Sequence, residues 1–147
     1  MEKYADIMSL LPYRRPFHFV DSIEAINSDR ITGSYRVKED EYFFEGHFPE
    51  NPVVPGAIIS EVIAQIGLVC FGLFLTPEEK RADILPAFTS VNLDFLSFAR
   101  PGDNLFVESK KIYFRFGKLK CSVICRNEKG IIIAKGDCAG VIIKSTA

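Results

Sequence analysis

Between Gly56 and Leu75 the chain reads GAIISEVIAQIGLVCFGLFL, interrupted only by Ser60, Glu61 and Gln65. This run constrains the fold more than any other stretch. It is long enough to cross a bilayer, but an acid near the centre of a span costs roughly 2.5–3.5 kcal/mol. No second such run exists, and the rest of the sequence reads as compact β structure. The segment is therefore expected to be a buried core helix, with no membrane insertion. A helix apolar on all sides must be wrapped by something else. Pro52 and Pro55 preclude regular helix before it, and Pro55 suits its first turn.

The material for the wrapping follows the helix. AFTSVNLDFL leads to the turn RPGD, and NLFVESKKIYFRF is a long alternating strand broken at Gly117. LKCSVICR, the turn NEKG and IIIAKGDCAGVIIK complete the C-terminal half, with Gly136 and Gly140 at kinks or close approaches. Upstream, Lys3–Leu11 is expected to form a short helix stopped by Pro12, with FHFVDSIEAI and Ile31–Lys38 as strands. The inventory is one long helix and about six strands, mostly hairpin-linked. A curved antiparallel sheet enclosing the helix is the economical α+β solution, as a single domain spanning 1–147.

Composition narrows the function. The net charge of -1, with no basic run, gives no support for nucleic-acid binding. Local clusters at Arg14 and Arg15, and along Lys110, Lys111, Arg115, Lys118 and Lys120, read as solvated surface that could also receive an acidic partner. The opening MEKYADIMSLL does not read as a signal peptide. Cys70, Cys121, Cys125 and Cys138 form no CxxC pair and there are only two histidines, which argues against a metal site. Buried reduced thiols in a cytoplasmic protein are expected, with Cys121 and Cys125 on one strand face.

The stretch EGHFPENPVVPGAIISEVIAQIG places a histidine, a helix N-terminus and a carboxylic acid in close succession. On the helix, Glu61 and Gln65 share a face with Ala57, Ala64 and Leu68, whose small members leave a narrow space over the carboxylate. A carboxylate so placed requires a partner or a raised pKa. His47, in the preceding loop, and Glu61 could line one cavity, within a subunit or across a dimer interface. Together they make a general base and general acid pair. Gly56 follows Pro55 at the exposed helix N-terminus, where its N–H could polarise a thioester carbonyl. The plainer reading keeps His47 as a structural loop histidine and Glu61 as an interface residue.

GHFPENPVVPGAIISEVIAQ closely resembles the active-site motif of the bacterial beta-hydroxyacyl-acyl-carrier-protein dehydratases, a hot-dog-fold family of fatty acid synthesis. LPYRRPFHFVDSI and NLDFLSFARPGDNL extend the likeness over nearly the whole chain. The resemblance implies a catalytic pair of His47 and Glu61, and a thioester-polarising N–H on Gly56. It implies that the Val53 carbonyl orients the histidine and that Gln65 bonds near the acid. It also implies an acyl carrier protein as partner, no metal or other cofactor, and a homodimer in which each acid serves the other subunit's site, with dimers often grouped in threes. Glutamate, rather than aspartate, is the acid of the branch that dehydrates without isomerising. Two positions depart from the pattern. Tyr13 stands where the family commonly has histidine, and His18 at a position usually aliphatic.

Three other readings stand beside this one. A hot-dog thioesterase would release free acid and thiol. A dehydratase of polyene, polyketide or pigment synthesis would share the chemistry but not the pathway. A non-catalytic acyl-binding subunit would need neither His47 nor Glu61.

Overall fold

The computed structural model describes residues 4–144. A short helix α1 (Ala5–Ser9) is followed by β1 (Ser22–Ile26) and β2 (Arg30–Arg36). The central helix α2 (Gly56–Leu75) comes next, then β3 (Ile84–Phe95), β4 (Asn104–Arg115), β5 (Lys118–Arg126) and β6 (Ile132–Lys144). All strand pairs are antiparallel, in the order β1-β2-β4-β5-β6-β3. This is the expected α+β architecture of a sheet wrapped around one helix. Lys3, placed in the first helix by the sequence reading, lies outside the described residues.

Alternation in the strands explains the wrapping. Leu105, Val107 and Ser109 of β4 and Leu119, Cys121, Val123 and Cys125 of β5 point to the helix and are buried. Each fully buried large aliphatic side chain contributes about 1.5–3 kcal/mol of transfer free energy. α2 is the one described helix long and apolar enough to cross a membrane, and 72% of its most apolar window is buried inside the protein. Cys121 and Cys125 do share one face, and all four cysteines are free and buried. Burial pushes the Cys121 thiol up to about 11 and Cys70, Cys125 and Cys138 up to about 12.

Three local expectations are corrected. Helix α2 is not uniform: Gly56–Ala64 and Phe71–Leu75 are α-helical, but Gln65–Cys70 is a π-helical turn. Such a turn loosens the regular ladder, and here the Gly67 carbonyl also accepts from Ser109 Oγ at 3.0 Å and Cys121 Sγ at 3.6 Å. Pro55 caps the helix from outside rather than occupying its first turn. The strand expected over FHFVDSIEAI begins only at Ser22. Before it, the Gln65 side chain takes the place of a neighbouring strand, accepting from Phe19 N–H at 2.8 Å and donating to Phe17 O at 3.0 Å.

One strand is exposed on both faces. β3 lies at the sheet edge with no partner on its outer side, and Leu85, Phe88, Val91 and Phe95 stand in solvent. Edges of that length and apolarity are usually covered.

Candidate active site

The loop before α2 is folded by its own backbone. His47 N–H donates to Phe43 O at 3.0 Å, Val53 N–H to His47 O at 3.1 Å, and Val54 N–H to Ala99 O at 2.8 Å. These bonds fix the imidazole, whose Nδ1 lies 3.1 Å from the Val53 carbonyl oxygen. A carbonyl only accepts, so Nδ1 is the donor of this bond, and in the neutral ring the lone pair is then on Nε2. The ring stacks on Phe48 with centroids 4.3 Å apart. Val53, expected to orient the histidine, does bond its ring.

His47, Val53 and Gly56 line one cavity of about 370 Å³, closed by Ile59, Phe95 and Phe98. Gly56 is the first residue of α2, and its N–H has no hydrogen-bond partner among the described residues. A Cβ there would already touch the Phe95 ring, at 3.4 Å. A glycine thus leaves the N–H accessible to an oxygen in a space bounded by an aromatic ring. The helix N-terminus adds partial positive charge.

Glu61 is elsewhere. It lines a second cavity of about 190 Å³ with Tyr13, Ala64, Leu68, Phe88 and Ile142 among its walls. Its Oε1 accepts from Gln65 Nε2 at 3.2 Å, which supplies the partner that the acid requires. The glutamate is half-buried in a wall that is apolar apart from itself and Tyr13. Ala57, placed on its face by helical spacing, is exposed and does not line the cavity. Burial, and then the charge of Glu61, push the Tyr13 phenol above the ordinary tyrosine range.

The structure therefore splits the five expected residues within one chain. His47, Val53 and Gly56 stand together, Glu61 and Gln65 stand together, and the two groups face different cavities. Sequence reasoning missed the aromatic wall at Phe95 and Phe98 and the place of Tyr13 beside Glu61. The NLDFLSF segment carried the first signal; nothing but an odd residue type marked the second. His18 is half-buried in a separate surface cavity with Arg15 and Tyr35, as expected of a packing histidine. Among the described residues no group of histidines, cysteines and acids is arranged to hold a metal ion.

A family model for the FabA-like domain matches residues 11–137. The chain belongs to the FabA-like family. Similar curated relatives include the 3-hydroxyacyl-[acyl-carrier-protein] dehydratase FabZ of Levilactobacillus brevis, 34% identical over 90% of this chain and 94% of the relative. The enzyme of that name from Anoxybacillus flavithermus is 41% identical, over 74% of this chain and 75% of its own. Among solved structures, the dehydratase heterocomplex ApeI:P of Xenorhabdus doucetiae superposes with a TM-score of 0.75 at 14% identity, covering 95% of this chain and 91% of that one. The thioesterase HI1161 of Haemophilus influenzae gives 0.68 at 14% identity, covering 98% and 92%. These last two likenesses establish the hot-dog fold alone.

Proposed function

We propose that the protein dehydrates (3R)-3-hydroxyacyl groups on acyl carrier protein to trans-2-enoyl groups, in fatty acid synthesis or related acyl-chain synthesis. The observation that carries the reading is the His47 site. An imidazole held through Nδ1 shares a cavity with a helix-terminal N–H that has no partner among the described residues. Nε2 takes the proton from C2 while Gly56 N–H stabilises the enolate-like oxygen of the thioester. Family membership and relatives named for this activity support it. The reaction as proposed uses no metal or other cofactor.

Expelling the C3 hydroxyl requires an acid on the other side of the substrate, and Glu61 of the same chain faces away from the His47 cavity. The exposed β3 edge offers the remedy. Pro86, Ala87 and Phe88 near its start line the Glu61 cavity, and Phe95 at its end lines the His47 cavity. Ala87 and Phe95 lie equally far along the strand from Val91. Two copies pairing their β3 edges antiparallel about Val91 would bring each Glu61 cavity to the other copy's His47 cavity. The same pairing would cover the exposed Phe88, Val91 and Phe95 and satisfy the open edge. The working unit is accordingly a homodimer with two shared sites.

The acyl chain then runs along the apolar walls beyond Glu61, formed by Leu68, Phe88, Leu119 and Ile142. Arg14 and Arg15, exposed directly after Tyr13, supply charge for an acidic carrier protein. Four unpaired cysteines suit the reducing cytoplasm.

The test is incubation with a 3-hydroxyacyl carrier-protein thioester, read by mass spectrometry of the intact carrier. Wild type is expected to remove one water. His47→Ala and Glu61→Gln are each expected to lower kcat by about 10²–10⁴-fold. Release of unacylated carrier would instead establish a thioesterase, and an unchanged carrier would leave no support for dehydration.

A further inference from the structure

Tyr13 and Glu61 carry the two ionisable side chains in the wall of their cavity; the rest of that wall is apolar side chains and backbone. Tyr13 enters the wall from the segment after α1 and Glu61 from α2, so two separate parts of the chain supply its polar groups. Gln65 occupies Glu61 Oε1, whereas Oε2 has no hydrogen-bond partner among the described residues. The Tyr13 hydroxyl has none either among the described residues, and its ring lies tilted against Phe17 with the centroids 6.4 Å apart. Two polar groups thus share one small space without bonding each other. Cys70 is the other titratable group near the phenol; it is fully buried, and its thiol is pushed up to about 12. The phenol keeps its proton across the neutral range, so it can only act as a donor toward an anionic or partly anionic oxygen.

We propose that the Tyr13 hydroxyl is a further polar group of the reaction, donating a hydrogen bond to the substrate's C3 oxygen as that oxygen departs as water. This rests on the assignment of Glu61 as the acid. The C2–H bond breaks, its proton goes to His47 of the second copy, and its electron pair forms the C2=C3 bond. The C3–O bond breaks with its pair on oxygen, which takes the Glu61 proton and leaves as water. Tyr13 transfers no proton; it holds the oxygen on which negative charge grows. One proton lost from His47 to solvent and one gained by Glu61 reset the site. Because the bond strengthens as C3–O breaks, it acts on kcat more than on KM.

Full-length Tyr13→Phe, Tyr13→His and Glu61→Gln variants are compared on a 3-hydroxyacyl carrier-protein thioester, with thermal unfolding recorded for each. Tyr13→Phe is expected to lower kcat about tenfold, the size of one hydrogen bond gained in the transition state. KM should change less than about twofold, and the unfolding midpoint should stay put. Tyr13→His keeps a ring N–H donor and should recover most of the loss. A Tyr13→Phe enzyme with wild-type kcat, or one altered in KM alone, beside an inactive Glu61→Gln enzyme, would overturn the role of Tyr13 and leave the acid in place. Equal losses in both Tyr13 variants would assign the effect to packing and overturn it too. An active Glu61→Gln enzyme would overturn the underlying assignment itself.

Discussion

Gln65 does more than its position in an apolar helix would lead one to expect. Fully buried, it accepts from Phe19 N–H, donates to Phe17 O, and donates to Glu61 Oε1, so both ends of its amide are engaged. One amide ties the N-terminal segment to the central helix and fixes the acid's direction. Gln65→Leu, close in volume, leaves a buried donor and acceptor without partners and frees the carboxylate. Expected are a stability loss of about 2–4 kcal/mol in urea unfolding and a kcat reduced by a larger factor than KM is raised. A variant with unchanged stability would mean that water replaces the amide. The residues that spacing and resemblance singled out in the sequence were His47, Val53, Gly56, Glu61 and Gln65, and the structure places each of them in or beside one of the two cavities. Tyr13 was not legible, because nothing local to it points at a residue so far along the chain.

At the scale of elements, β3 carries the burden. One end walls each cavity, and its register is pinned by β6. Gly136 of β6 has φ +154, and a Cβ there would sit 2.0 Å from the Asn92 carbonyl oxygen on β3. No side chain fits without moving backbone. Gly136→Ala is therefore expected to cost about 2–4 kcal/mol, whereas Gly46→Ala, with nothing within 4 Å, should cost under about 0.5 kcal/mol. Thermal unfolding of the pair measures the contrast. Strands were legible because one buried face leaves a period of two, as in Leu105, Val107 and Ser109. The π-turn over Gln65–Cys70 was not, because an extra residue in a uniformly apolar helix leaves no break in a pattern that has no polar face. β1 was read too long for a related reason: Phe19 N–H and Phe17 O are satisfied by the Gln65 side chain rather than by a neighbouring strand.

At the scale of the molecule, His47 and Glu61, the proposed base and acid, line different cavities of one chain, separated along an apolar edge strand. Spacing alone left the choice between one subunit and two open, since it does not say which of two copies a side chain serves; the family resemblance implied two. The proposed pairing of β3 edges requires two. Mixing separately inactive His47→Ala and Glu61→Gln chains, after unfolding and refolding together, tests this most directly. In shared sites, half the dimers are mixed, and each mixed dimer has one site with both residues intact. About one quarter of wild-type activity should return. If His47 and Glu61 act within one chain, every site in the mixture lacks one of them, and no activity above that of the separate variants will appear.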